Sequence, residues 1–287
     1  MKKIISKSLL LCFFAVTACA QNKSTITSKD VIEIPFTMDR NLILIKASIN
    51  NEPENNYIFD TGTQGVVLNK TTVSKYNLKG EGFTRTGSPN DTIGIEVRNI
   101  DIPMLSVKGF TAKNVKSIEV EDQGILTPNA VGIIGISLFK GKLVTINYKE
   151  SKLIIANGEL KQNDKDVIKV NLSQVIESEI KVNQQLMAVY FDSGGPEAIS
   201  FPLEWKNKLT LKSEPVLFAK GRTPSGEVEI YKSQLDGIIQ IGNIELKDPK
   251  ITLVSGRFNG INIGFPFLKE YVTTIDMNNQ LMKIIPN

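Results

Sequence analysis

The chain has 287 residues, 41% of them apolar and 7% aromatic, with 34 basic and 30 acidic side chains and no histidine. That length holds one large domain or two ordinary ones, and the lack of imidazole excludes Ser-His-Asp and Cys-His catalysis and every metal site that relies on histidine. Both cysteines, Cys12 and Cys19, lie in the first twenty residues, so the rest of the chain has no disulfide, thiol nucleophile or thiolate metal cluster.

The N-terminus reads as a leader. "MKKIISKSLLLCFFAVTACAQ" opens on lysines, continues in an apolar run and ends in small residues, which is the pattern of an export signal over residues 1–19. The run is too short for a spanning helix. Val16-Thr17-Ala18-Cys19 resembles a bacterial lipobox, in which Cys19 becomes the acylated first residue. Cleavage after Ala20 is the competing reading, since Ala18-Cys19-Ala20 fits the A-x-A pattern. Removing residues 1–18 takes away Lys2, Lys3 and Lys7 and leaves 31 basic against 30 acidic side chains. No basic excess remains to hold a phosphate backbone, so no nucleic-acid partner is expected.

From residue 30 onward the pattern is β. "NLILIKASINNEPENNYIFD" (41–60) alternates apolar and polar residues, breaks at a polar turn and returns as a second strand. "LVTINYKESKLII" predicts a hairpin around Lys149-Glu150-Ser151, and "YVTTIDMNNQLMKIIP" predicts another around Asn278-Asn279. Helical signals are confined to "KTTVSKYNL" (70–78) and "LEWKNKL" (203–209). The polar stretch 157–167 reads as a linker between units 30–156 and 168–287.

The chain also repeats itself. "YIFDTGT" (57–63) has a counterpart in "VYFDSGG" (189–195), and the segment from Val131 has one in the segment from Gly260. Aligning Gly135 with Gly264 brings Lys140 onto Lys269, Thr145 onto Thr274 and Ile146 onto Ile275. Gly135 follows Asp60 by 75 residues, and Gly264 follows Asp192 by 72. Two landmarks at nearly equal spacing indicate a duplicated unit.

Asp60-Thr61-Gly62-Thr63, Asp192-Ser193-Gly194 and the Gly135 and Gly264 segments resemble the two-lobed pepsin/retropepsin-like aspartic peptidases, and most closely bacterial exported proteins of that kind. The resemblance covers nearly the whole chain beyond residue 30. It implies an all-β fold with a few short helices, in two lobes related by a pseudo-twofold axis. It assigns a catalytic dyad to Asp60 and Asp192 and gives Thr61 and Ser193 the task of locking the two loops together. Gly62 and Gly194 permit the tight turns, and Thr63 supports Asp60. Ile133-Ile134-Gly135 and Asn262-Ile263-Gly264 are then the crossing strands. The implied chemistry is peptide hydrolysis by water held between two carboxylates sharing one proton, with no cofactor and no metal.

The chain departs from that family at three places. Gly195 stands where a Ser or Thr is usual, so Asp192 is expected to hold the shared proton and Asp60 to be the anion. Asn262 stands where an aliphatic residue is usual. The flap-like segment 82–97 has hairpin-tip composition but no tyrosine to lie over the cleft, and the symmetric segment 219–231 is also flap-like. Glu197 reads as a solvated neighbour of the second motif, and Trp205 as a packing residue. The expected protein is an exported, lipid-anchored monomer in the cell envelope that cleaves peptides or proteins. The alternative is a non-catalytic protein that binds peptides or cell-wall fragments in the same cleft, favoured by the loss of the hydroxyl at Gly195.

Overall fold

The computed structural model describes residues 31–287 apart from 88–93, 126, 173–174, 224–225 and 257–259. The leader and Cys19 therefore lie outside the described residues. Among the described residues strands make up 57% and helix 10%, so the fold is all-β, as the alternating pattern predicts.

An eight-stranded sheet is built from residues of the first half. In it Leu42–Ile49 pairs antiparallel with Asn55–Asp60, with Ile43 opposite Phe59 and Ile45 opposite Tyr57. Successive side chains of a strand point to opposite faces, and both faces of Leu42–Ile49 are covered. Ile43, Ile45, Ala47 and Ile49 enter the main core, while Leu42 and Leu44 join a smaller cluster with Ile58, Val67, Ile125 and Ala130. Each such aliphatic side chain contributes about 1.5–3 kcal/mol on burial. The edge of this sheet is the hairpin of Phe83–Thr86 with Ile95–Val107, whose tip falls outside the described residues.

A nine-stranded sheet follows in the second half. Ile176–Val182 and Gln185–Asp192 form its antiparallel hairpin, and its edge is the hairpin of Val216–Thr223 with Gly226–Gln234. Both segments that read as flaps are thus edge hairpins of their respective sheets.

The third sheet takes strands from both halves. Its order is Val31–Pro35, Lys152–Ala156, Leu143–Asn147, Tyr271–Asp276, Leu281–Pro286, Val167–Lys169. The two hairpins predicted at its centre are present, and they meet where Leu143–Asn147 runs antiparallel to Tyr271–Asp276. In that ladder Thr145 lies opposite Thr274. These are the residues that the sequence repeat aligns.

The stretch between Ala156 and Val167 carries no strand, and Val167 itself already begins one. It is pinned by the Leu160 N–H, which donates to the buried carboxylate of Asp276 at 2.8 Å. Asp276 also accepts from the Asn278 and Asn279 N–H groups, each at 3.1 Å, so one carboxylate closes the last hairpin turn and holds the connecting chain.

Of the two helical signals, one is an α-helix. Lys70–Lys75 starts at Asn69, whose side chain accepts from the Thr72 N–H at 2.9 Å, an N-cap interaction. Leu203–Lys208 is a 3-10 helix that follows Pro202, with no side-chain cap. Trp205 within it packs against the core and carries Lys208 over its ring, in line with a packing residue.

Candidate active site

Asp60 and Asp192 each end a strand beside a glycine strand. Asn55–Asp60 runs parallel to Gly132–Gly135 with Asp60 opposite Gly135, and Gln185–Asp192 runs parallel to Ile261–Gly264 with Asp192 opposite Gly264. Each glycine lies where the turn after the aspartate folds back. A Cβ on Gly135 would sit 2.1 Å from the Thr63 carbonyl oxygen, and one on Gly264 would sit 2.4 Å from the carbonyl oxygens of Gly195 and Glu197. Only a residue without a side chain lets the backbones approach this closely. The glycine at each of the two landmarks thus has a steric cause.

The two loops hold each other through a reciprocal pair of hydrogen bonds. The Thr61 N–H donates to Ser193 Oγ at 3.0 Å, and the Ser193 N–H donates to Thr61 Oγ1 at 2.9 Å. The Thr61 hydroxyl in turn donates a hydrogen bond to the Phe191 carbonyl at 3.0 Å. Thr61 and Ser193 are 2% and 1% exposed, so no water competes for these groups and the network is fully satisfied. A buried network of this kind fixes the relative position of its members.

That lock brings the two carboxyl groups together around one donor, the Gly194 N–H. Their surroundings are unequal. Asp60 Oδ1 accepts from the Gly62 N–H at 2.9 Å, the Gly194 N–H at 3.1 Å and the Ser193 hydroxyl at 3.4 Å, and its Oδ2 accepts from the Thr63 hydroxyl at 2.8 Å. Asp192 Oδ1 accepts from the same Gly194 N–H at 2.9 Å, and its Oδ2 accepts from Asn262 Nδ2 at 3.3 Å. The Gly194 amide therefore bridges both carboxyls. Gly62 is placed just as closely against the opposite acid: a Cβ there would meet Asp192 Oδ1 at 2.6 Å.

Burial, and then the charge and hydrogen bond of Asp60, push the Asp192 carboxyl up to about 8, with the Gly194 N–H and Asn262 opposing. Two like charges in contact and shielded from water cannot readily both ionise. Tyr148 completes the surroundings. Its ring packs edge-on against Phe36 and Phe265, and its buried hydroxyl has no hydrogen-bond partner. Burial raises its pKa, and the charges of Asp60 and Asp192 raise it further.

Every residue that the sequence singles out for the dyad and its support (Asp60, Thr61, Gly62, Thr63, Asp192, Ser193 and Gly194) is brought into this one site. Cys19 lies outside the described residues. Glu197 is not simply solvated: its Oε2 accepts from the Thr252 hydroxyl at 2.9 Å. Two neighbours of the dyad lack a sequence signal for this role: Asn262 reads only as a departure from the family pattern, and Tyr148 carries no motif at all. Among the described residues no group of three or more Asp, Glu, His or Cys side chains comes together to hold a metal.

Residues 45–138 match the model of the aspartyl protease family. The matched segment contains Asp60, its Thr-Gly-Thr turn and Gly135, and it ends before Asp192. It supports a peptidase-type function. No curated protein matches the chain.

Proposed function

We propose that the chain is an exported aspartic endopeptidase, a duplicated two-lobed β protein that hydrolyses peptide bonds with water activated between Asp60 and Asp192. The observation that carries this reading is the convergence of two carboxyl groups from different sheets on the Gly194 N–H, with unequal donors around them. The pairing of Thr145 with Thr274 supports the duplication, because an axis relating two equivalent halves passes between such residues.

Asp60 faces four donors and is the anion; Asp192 keeps the proton. A water between them loses a proton to Asp60 as its oxygen attacks the peptide carbonyl carbon. Asp192 gives its proton to the carbonyl oxygen, producing a neutral gem-diol. Collapse of the gem-diol returns one hydroxyl proton to Asp192, and the proton on Asp60 passes to the departing nitrogen. The dyad ends with the single proton it began with. The Thr61–Ser193 lock lets the two acids act without first being assembled.

The chain is a monomer in this reading, since both acids come from one polypeptide, and it needs no cofactor. Val16-Thr17-Ala18-Cys19 motivates a lipid anchor at Cys19 in the bacterial cell envelope, where peptides or proteins are the substrates. The deciding experiment incubates the purified protein with a mixed peptide library from acidic to mildly alkaline pH, beside Asp60→Asn. New termini that appear only with the unsubstituted protein support the reading. Peptide binding with no cleavage at any pH would replace it with the non-catalytic one.

A further inference from the structure

Two departures from the repeat lie close to Asp192. Gly195 stands where the first half has Thr63, and Asn262 stands where it has Ile133. The two meet in space: a Cβ on Gly195 would lie 3.3 Å from Asn262 Nδ2. That nitrogen donates to Asp192 Oδ2 at 3.3 Å, while on the other side the Thr63 hydroxyl donates to Asp60 Oδ2 at 2.8 Å. Each acid therefore has one side-chain donor on its outer oxygen, delivered from a different direction. We propose that Asn262 is a positioning residue for Asp192, an amide on the crossing strand that replaces the hydroxyl missing at Gly195.

The backbone suits this task. Ile261–Gly264 is paired on both sides, parallel to Gln185–Asp192 and antiparallel to Ile199–Pro202, with Asn262 opposite Tyr190 and Ser200. A donor on such a strand reaches Asp192 through two side-chain torsions and little backbone freedom. Packing alone does not explain the residue. The Asn262 Oδ1 is buried without a hydrogen-bond partner, an arrangement that an isoleucine like Ile133 avoids. The orphan oxygen has a use in the reaction. Turning the amide end over presents Oδ1 as an acceptor, so Asn262 can hold Asp192 both as carboxylate and as acid. The other groups that bear on Asp192 are Asp60 across the pair, the Gly194 N–H and the Tyr148 phenol.

This inference rests on the dyad reading for its catalytic meaning, and its test separates the two. Four proteins are compared: the unsubstituted chain, Asn262→Ile, Gly195→Ser, and the double variant. The titration of Asp192 is followed by carboxyl carbon NMR, assigned with Asp192→Asn, alongside the pH profile of kcat/KM. Losing the amide donor moves the titration of Asp192, and the alkaline limb of the profile, upward by about 0.5–1 pH unit, the worth of one hydrogen bond. The double variant returns both toward their original positions, because a serine hydroxyl then fills the space the amide has left. Gly195→Ser alone adds no equal and opposite shift, since its side chain competes with Asn262. Should Asn262→Ile fail to fold, Asn262→Ala carries the same readout. An Asp192 titration that stays in place in the Asn262 variant overturns the proposal, and so does a double variant no different from it. If the titration moves as expected and no peptide is cleaved by any variant, the role of Asn262 stands and the peptidase reading falls.

Discussion

Thr145 and Thr274 stand opposite each other in the sheet shared by the two halves, their hydroxyls 2.9 Å apart. The separation of 129 residues that relates them is the one that carries Gly135 onto Gly264. The site lies where the two halves of the sequence come together.

Replacing either acid by its amide removes a proton donor or acceptor while keeping the shape of the side chain. Asp60→Asn and Asp192→Asn are each expected to lower kcat by about 100- to 10,000-fold. Steady-state rates on one cleaved peptide check this, with near-ultraviolet circular dichroism confirming the fold.

The raised pKa of Asp192 also makes stability depend on pH. Unfolded, the carboxyl ionises near its ordinary value of about 4; folded, it keeps its proton until about 8. Between these limits the native state binds more protons than the unfolded one, so this group makes stability fall as pH rises and has no further effect above about 8. Asp192→Asn removes that slope. Thermal melts across this range should show the variant gaining on the unsubstituted protein as pH rises, with little difference at the acidic end.

The lock between the loops is open to a double-mutant cycle. Thr61→Val strands the buried Ser193 N–H, and Ser193→Ala strands the buried Thr61 N–H. Each should cost about 1–3 kcal/mol of stability. The double variant should cost less than the sum, since both members belong to one network. Urea unfolding of the three variants gives the coupling.

Two glycines separate folding from function. Gly135→Ala forces a methyl group into the Thr63 carbonyl, a backbone atom that cannot turn aside, and should leave the protein insoluble or largely unfolded. Gly62→Ala forces its methyl onto the Asp192 carboxyl instead. Activity should then fall steeply in a chain that still melts cooperatively. Solubility and calorimetry check the first, and kcat/KM beside a melting curve checks the second.

Much of the site is legible in the sequence because its strongest constraints are steric. An aspartate followed by a tight turn needs a glycine on the neighbouring strand, and that need prints the same two landmarks twice. Hairpins such as Leu143–Asn147 with Lys152–Ala156 are also legible, being local and marked by polar turns. What stayed hidden depends on long-range contact between residues with no local signature. Asn262 reaches Asp192 across 70 residues, and in the sequence it is only a polar residue in an apolar strand. Its meaning appears once Gly195 is seen beside it. Tyr148 is likewise one aromatic residue in a hairpin turn until the chain places it near both acids. The pairing of Val31–Pro35 with Lys152–Ala156 joins residues more than a hundred positions apart, and alternation alone does not name a strand's partner.

The six-stranded sheet bears on how the molecule comes apart. Each half of the chain supplies three of its strands, and the halves are joined by the main-chain ladder of Leu143–Asn147 with Tyr271–Asp276. Neither half can melt without stripping the other of an inner strand's partner and baring a raw β edge. Unfolding is therefore a single transition instead of two, and the amides of this ladder should be among the last to exchange with heavy water. A cut in the stretch 157–166 leaves the fragments bound to each other, so proteolysis there nicks the chain without releasing either half.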